Sequence, residues 1–264
     1  MSYLKILSVV NEHTVSTVTA RYAISLAASC KAKLVLYSAH GKGSSETVLR
    51  QLDRHLEQLF ADATALGIPV TRITEIGNIN TLLPKRVRTE NADLVFTALM
   101  PYKRYGAALA RHAVHQLQRT IPSDLAIMRI TTMAKPYPGN ILMPLGRITD
   151  DRGRRLLFVT ELARSFHSQV TLYHLSAERD AQVMPDDIIQ FGKKLEQQHV
   201  TVHERRGRGD VRKAIIVEAI TRHHDLIVLG ASRRGVLGRL FIGNPAGDIM
   251  QQPPCNTILF RSVL

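Results

Sequence analysis

Apolar residues in this chain come in short runs separated by stretches at helical spacing. In the first half the runs are Lys5–Val10, Lys33–Ser38, Val70–Glu75, Ala92–Ala98 and Asp124–Ile130. Brief runs rich in Val, Ile and Leu read as strands covered on both faces of a sheet. Between them, Val15–Ser29, Ser45–Leu66, Asn80–Glu90 and Ala107–Arg119 read as helices. Leucines 49, 52, 56 and 59 mark one face of the second helix, and Gly67 stops it. Thr14 or Ser16 is the expected cap of the first.

The chain then starts again. Ala134-Lys-Pro-Tyr-Pro-Gly139 has the turn composition of a linker. Slide the first half by 132 positions and Gly77 meets Gly209, Asp93 meets Asp225, and Leu94 meets Leu226. Gly106 then meets Gly238, Pro122 meets Pro254, and Arg129 meets Arg261. Such matches at element boundaries mark a tandem duplication, because backbone geometry limits residue choice there. Strands are expected in the second half near 140–145, 170–175, 200–205, 225–229 and 256–261. Alternating strands and helices predict an α/β chain of two tandem doubly wound parallel-sheet domains, five strands each. The expected boundaries are 1–133, a linker at 134–139, and 140–264.

Composition narrows the function classes. A 45% apolar content suits a globular core. No run of about 18 apolar residues suggests a membrane span, and Met1–Val10 reads as a first strand in place of a signal peptide. Cys30 and Cys255 make no disulfide framework. Both are read as buried thiols of a cytoplasmic protein. The net charge of +13 favours anionic partners. Aromatics are only 5%, no basic stripe interleaves with stacking rings, and no nucleic-acid motif is present. Specific nucleic-acid binding is therefore not expected.

The richest candidate chemistry follows the run 225–229. Gly230-Ala-Ser-Arg-Arg-Gly235 leaves that strand where a helix should begin, and the segment continues to Gly243-Asn244. Glycines admit close ligand approach, and free N–H groups at such a point favour anions. Arg233 and Arg234 add charge-assisted donors. The same residues also suit a tight turn with solvated arginines. Glu204–Asp210, with its three arginines, is expected as a loop past the third strand, with Asp210 capping the next helix. His223-His224-Asp225 lacks a third and fourth ligand at zinc spacing. His174 is expected as a satisfied, half-buried histidine near the strand ends. No Walker lysine or nucleophile elbow is found, and no catalytic set is assigned.

The Gly230–Asn244 stretch resembles the universal stress protein family. That family's nucleotide-binding members carry Gly, two residues, Gly, nine residues, then Gly and a small hydroxyl residue. Gly230 and Gly243 fit the outer positions, while Arg233 stands for the middle Gly and Asn244 for the hydroxyl. Asp248-Ile-Met, Pro254-Cys255 and Thr257–Phe260 look like the family's closing helix and strand. The Gly-Ala-Ser-Arg-Arg form also resembles stress-protein domains fused to membrane transporters. The resemblance implies strand order 3-2-1-4-5 and a ligand mouth between the first and fourth strands. It also implies an acidic residue after the first strand, where this chain has Gly146. In the first half Asn11 fits that position, but Ala98, Pro101 and Arg111 replace the loop's key residues.

The expected nucleotide site is Gly146, Gly230, Ser232, Arg233, Arg234, Gly235, Gly243 and Asn244, with Arg147 nearby. Its implied ligand is ATP, another adenine nucleotide or a related anion, with no metal held by protein ligands. The implied role is stress-response regulation through ligand occupancy, with a protein partner or a second copy compatible. The rival readings are a ligand-free interaction module and a slow ATPase.

Overall fold

The computed structural model describes residues 2–99, 114–131, 137–146, 152–176, 183–230 and 249–263. Apart from its last two residues, the chain divides into two compact units, 1–130 and 131–262.

The N-terminal unit runs β1 (Lys5–Val9), α1 (Thr14–Cys30), β2 (Lys33–His40), α2 (Glu46–Ala65), β3 (Val70–Ile76), α3 (Ile79–Glu90) and β4 (Leu94–Ala98). It closes with helical residues 114–120 (α4) and β5 (Asp124–Arg129). The C-terminal unit runs β6 (Asn140–Leu145), α5 (Arg152–Phe166), β7 (Gln169–Ser176) and α6 (Asp186–Glu196). It continues with β8 (Val202–Arg208), α7 (Val211–Thr221), β9 (Leu226–Gly230) and β10 (Asn256–Arg261). Strands lie side by side as β3-β2-β1-β4-β5 in one unit and β8-β7-β6-β9-β10 in the other. Every neighbouring pair within a unit is parallel. The expected α/β architecture and 3-2-1-4-5 order are therefore present in each.

The central strands are apolar because helices cover both faces. Ile6, Leu7, Leu94, Val95 and Phe96 are fully buried, as are Ile141, Leu142, Leu226 and Ile227. The outer strands β3 and β8 share one pattern of exposed and half-buried positions.

Backbone detail supports the duplication. Asp93 accepts from the N–H groups of Leu4 (2.8 Å) and Lys5 (3.2 Å), which start β1. Asp225 accepts from Gly139 and Asn140, both at 3.0 Å, which start β6. Left-handed residues end equivalent helices: Lys31, Gly67 and Asn91 in one unit, His167, His199 and His223 in the other. Asn78 and Asp210 cap α3 and α7 with their side chains.

Four sequence expectations change. His13 is the N-cap of α1, without a side-chain bond, and neither Thr14 nor Ser16 caps it. The Ser16 hydroxyl instead donates to the carbonyls of Asn11 and His13. Glu204–Arg208 is strand, not loop, because an outer strand can carry polar residues on its open face. Cys30 is half-buried, being the last residue of α1, whereas Cys255 is buried. Burial pushes the Cys255 thiol up to about 12. Finally, His174 is buried more fully than expected.

Between the outer strand and its helix, the two units exchange charges. In the first, the Tyr37 hydroxyl donates to Glu75 on β3 at 2.6 Å, and Arg86 on α3 pairs with that same carboxylate. These two donors hold Glu75 below its ordinary range. In the second, Gly207 stands at the position of Glu75 and Glu218 at that of Arg86. Arg205 on β8 now supplies the cation, 2.5 Å from Glu218. A β-carbon at Gly207 would overlap the Tyr173 hydroxyl, so the glycine is the room that tyrosine needs. Beside this pair His224 is buried, with no hydrogen-bond partner for either ring nitrogen among the described residues.

Two predictions follow from these contacts. Asp225→Ala strands two backbone donors and should cost about 1.5–3 kcal/mol in urea unfolding of the whole chain. An unchanged midpoint would refute the clamp. Burial holds His224 below its ordinary 6.5, opposed by Glu218 and Asp225 and reinforced by Arg205 and Arg222. The unfolded chain therefore binds the proton first. This contribution is complete above about pH 6.5 and is lost as pH falls through the lower folded value. His224→Leu should flatten the fall in urea midpoint below about pH 6.5.

Candidate functional site

In an open parallel sheet whose order reverses, two neighbouring crossovers leave in opposite directions and a crevice opens beyond the strand ends. Here that point lies beyond β1 and β4 in one unit, and beyond β6 and β9 in the other.

In the N-terminal unit the crevice edge is tied to itself. The Asn11 side-chain oxygen accepts from the His13 N–H at 2.9 Å, and the Asn11 N–H donates to Ser16 Oγ at 3.0 Å. His55 of α2 donates through Nδ1 to the Asn11 carbonyl at 2.9 Å. Nε2 of that ring then takes the Gln51 amide at 2.7 Å. Ala98 ends β4 with a side chain where a close backbone approach would need none.

The C-terminal unit is different at each of these points. Gly146 follows β6 directly, and among the described residues no atom lies within 4 Å of where its β-carbon would be. His174 donates through Nδ1 to the Leu145 carbonyl at 3.0 Å. It anchors the strand end one position earlier than His55 does in the other unit, and from a different element. Gly230 ends β9, and the guanidinium of Arg155 lies against it. A β-carbon at 230 would overlap that group, with Nη2 at 2.5 Å. The glycine expected to admit a phosphate thus first admits an arginine of this chain. Arg155 comes from the first turns of α5 and is half-buried.

The structure therefore brings two expected site residues, Gly146 and Gly230, to the ends of neighbouring-order strands β6 and β9. Ser232, Arg233, Arg234, Gly235, Gly243 and Asn244 lie outside the described residues, as do Arg147, Pro101, Arg111 and residues 134–136 of the expected linker. Arg155 and His55 were not singled out from sequence. One cue existed for Arg155: shifted by 136 positions, as Lys31 is from His167, it falls on Thr19 in a helix start that is otherwise free of arginine.

The mouth of the C-terminal unit thus lacks a carboxylate at Gly146 and gains a cation at Arg155. Residues 139–261 match the model of the Universal stress protein family. The match covers the C-terminal unit, somewhat less than half of the chain. Solved structures extend the likeness to the whole chain. A universal stress protein from Archaeoglobus fulgidus DSM 4304 superposes with TM-score 0.65 at 12% identity, covering 98% of this chain and 96% of the other. A functionally unknown protein from Pseudomonas aeruginosa PAO1 gives 0.65 at 17% identity, covering 98% and 93%. The cytoplasmic domain of a prokaryotic cation chloride cotransporter gives 0.62 at 10% identity, covering 98% and 95%. At these identities the likeness establishes the fold alone. None of the curated proteins matches the sequence. No helix among the described residues is long and apolar enough to cross a membrane.

The Arg155–Gly230 contact has a measurable signature. Gly230→Ala should push the guanidinium aside, since a flexible side-chain end moves more easily than a strand. In the Arg155→Ala background the same change should be nearly neutral. The double-mutant cycle in urea should give a coupling of about 1 kcal/mol. Additive effects would show that the two residues do not share this space.

Proposed function

We propose that this is a stress-response or regulatory protein whose C-terminal unit holds a nucleotide or related anion and acts through occupancy, without obligatory turnover. One observation carries the reading. At equivalent strand ends, the N-terminal unit has a self-tied Asn11 and an Ala98, while the C-terminal unit has a glycine at 146 and a cation against Gly230. Ser232, Arg233, Arg234, Gly235, Gly243 and Asn244 would complete the cradle, with ATP or another adenine nucleotide as first candidate. The N-terminal unit then serves structure or a protein contact, and the cytoplasm is the proposed location.

A second reading is favoured by Arg155 itself. A guanidinium against Gly230 takes room that a phosphate would use. On that reading the mouth is filled from within, and the chain is a ligand-free interaction module.

Calorimetry of the full chain with ATP separates the two. Occupancy predicts one ATP per chain, abolished by Gly243→Val in a variant that keeps its circular dichroism spectrum. Two ATP per chain would overturn the assignment to one unit. No heat at protein concentrations well above micromolar would favour the module.

A further inference from the structure

Resting on the ligand-binding reading above, we infer that Arg155 makes the C-terminal mouth choose its ligand by phosphate charge, leaving the sugar unrecognised. The ligand class is then a short chain of phosphate groups, whether free or carried on a nucleoside.

Three observations converge. The first is position. Arg155 lies against the last residue of β9, at the crevice where open parallel sheets bind ligands. Arginine stays charged at every physiological pH, and its planar fork suits phosphate oxygens. The second is what is missing beside it. A ribose diol is held by an acceptor side chain at a strand end, and Gly146 offers backbone alone.

The third is the internal control supplied by the duplicate. Thr19 occupies the position equivalent to Arg155, and Ala98 the position equivalent to Gly230. Thr19 is fully buried, and its hydroxyl donates to the Val15 carbonyl at 3.0 Å. The same fold is thus built with two small residues and no cation. An arginine with a glycine making room for it is not a requirement of the architecture. It is a feature of this mouth, and its chemistry points to an anion.

The full-length protein is titrated with ATP, with inorganic tripolyphosphate and with adenosine, as wild type, Arg155→Gln and Arg155→Lys. ATP and tripolyphosphate should bind within about threefold of each other and compete, while adenosine binds at least about 100-fold more weakly. Arg155→Gln should weaken both phosphates by about 10- to 100-fold, the worth of one charge-assisted hydrogen bond. Arg155→Lys should fall between, since a point charge replaces a fork.

Adenosine binding as tightly as ATP would overturn the inference while leaving the nucleotide reading intact. So would an Arg155→Gln variant of unchanged affinity. ATP binding that appears only on removal of Arg155 would make the arginine a plug and overturn it as well. Silence of all three compounds against wild type and both variants would instead overturn the ligand-binding reading itself. The competition between ligands on wild type needs no variant, so a poorly folding substitution cannot shelter the inference.

Discussion

A carboxylate at the start of the fourth strand of each unit fixes the pair of strands on which the crevice depends. Asp93 binds the backbone that opens β1, and Asp225 binds the backbone that opens β6. Parallel strands exchange evenly spaced, slanted hydrogen bonds, which by themselves tolerate a slip. A charged acceptor holding two N–H groups across the gap removes that freedom at one end. The register then propagates: Ile6 opposes Leu94 and Ile141 opposes Leu226. Residues at the other end arrive at set heights, which is why Gly146 and Gly230 stand at the same rim. Strand order alone would supply a crevice of uncertain shape. The clamp makes its edges reproducible.

The duplicated unit separates what the fold demands from what it tolerates. Left-handed helix ends recur at equivalent places, filled by Lys31, Gly67 and Asn91 or by three histidines. The backbone conformation is retained while the residue changes, because asparagine and histidine accept a positive φ at modest cost. Between outer strand and helix, opposite charges recur with their signs exchanged, Glu75 with Arg86 against Arg205 with Glu218. There the requirement is for a pair, and either side can carry either sign. The loss of Glu75 leaves room at Gly207, and Tyr173 takes it.

Most of the fold was legible in the sequence, because parallel-sheet strands announce themselves as apolar runs and because Gly77, Asp93 and their partners at 209 and 225 recur in register. The strand order was not readable from periodicity and came from the family likeness. The arginines of β8 misled because an outer strand is solvated on one face and lacks an apolar signature. His13 displaced Thr14 and Ser16 as N-cap because the Ser16 hydroxyl is engaged with carbonyls of the preceding turn, a contact that spacing does not specify. At the site, Gly146 and Gly230 could be found by their place after strands. Arg155 stood out only by its contrast with Thr19 in the other half, since its partner Gly230 lies 75 positions away and only the folded sheet brings them together.

That pairing also explains why the charge of the mouth is hard to change one residue at a time. With Arg155 in place, a β-carbon at 230 overlaps the guanidinium. With Thr19 at the equivalent position, a longer side chain would have to emerge past Ala98, which already fills the strand end. The small pair and the large–small pair are each self-consistent, and the mixed combinations cost either overlap or an unfilled gap. Volume complementarity thus couples the glycine to the cation. A glycine at the end of the fourth strand, taken alone, says only that something comes close to the backbone. Among the described residues of this unit, what does so is a positive charge from α5, set at the rim of a crevice that has no carboxylate at Gly146.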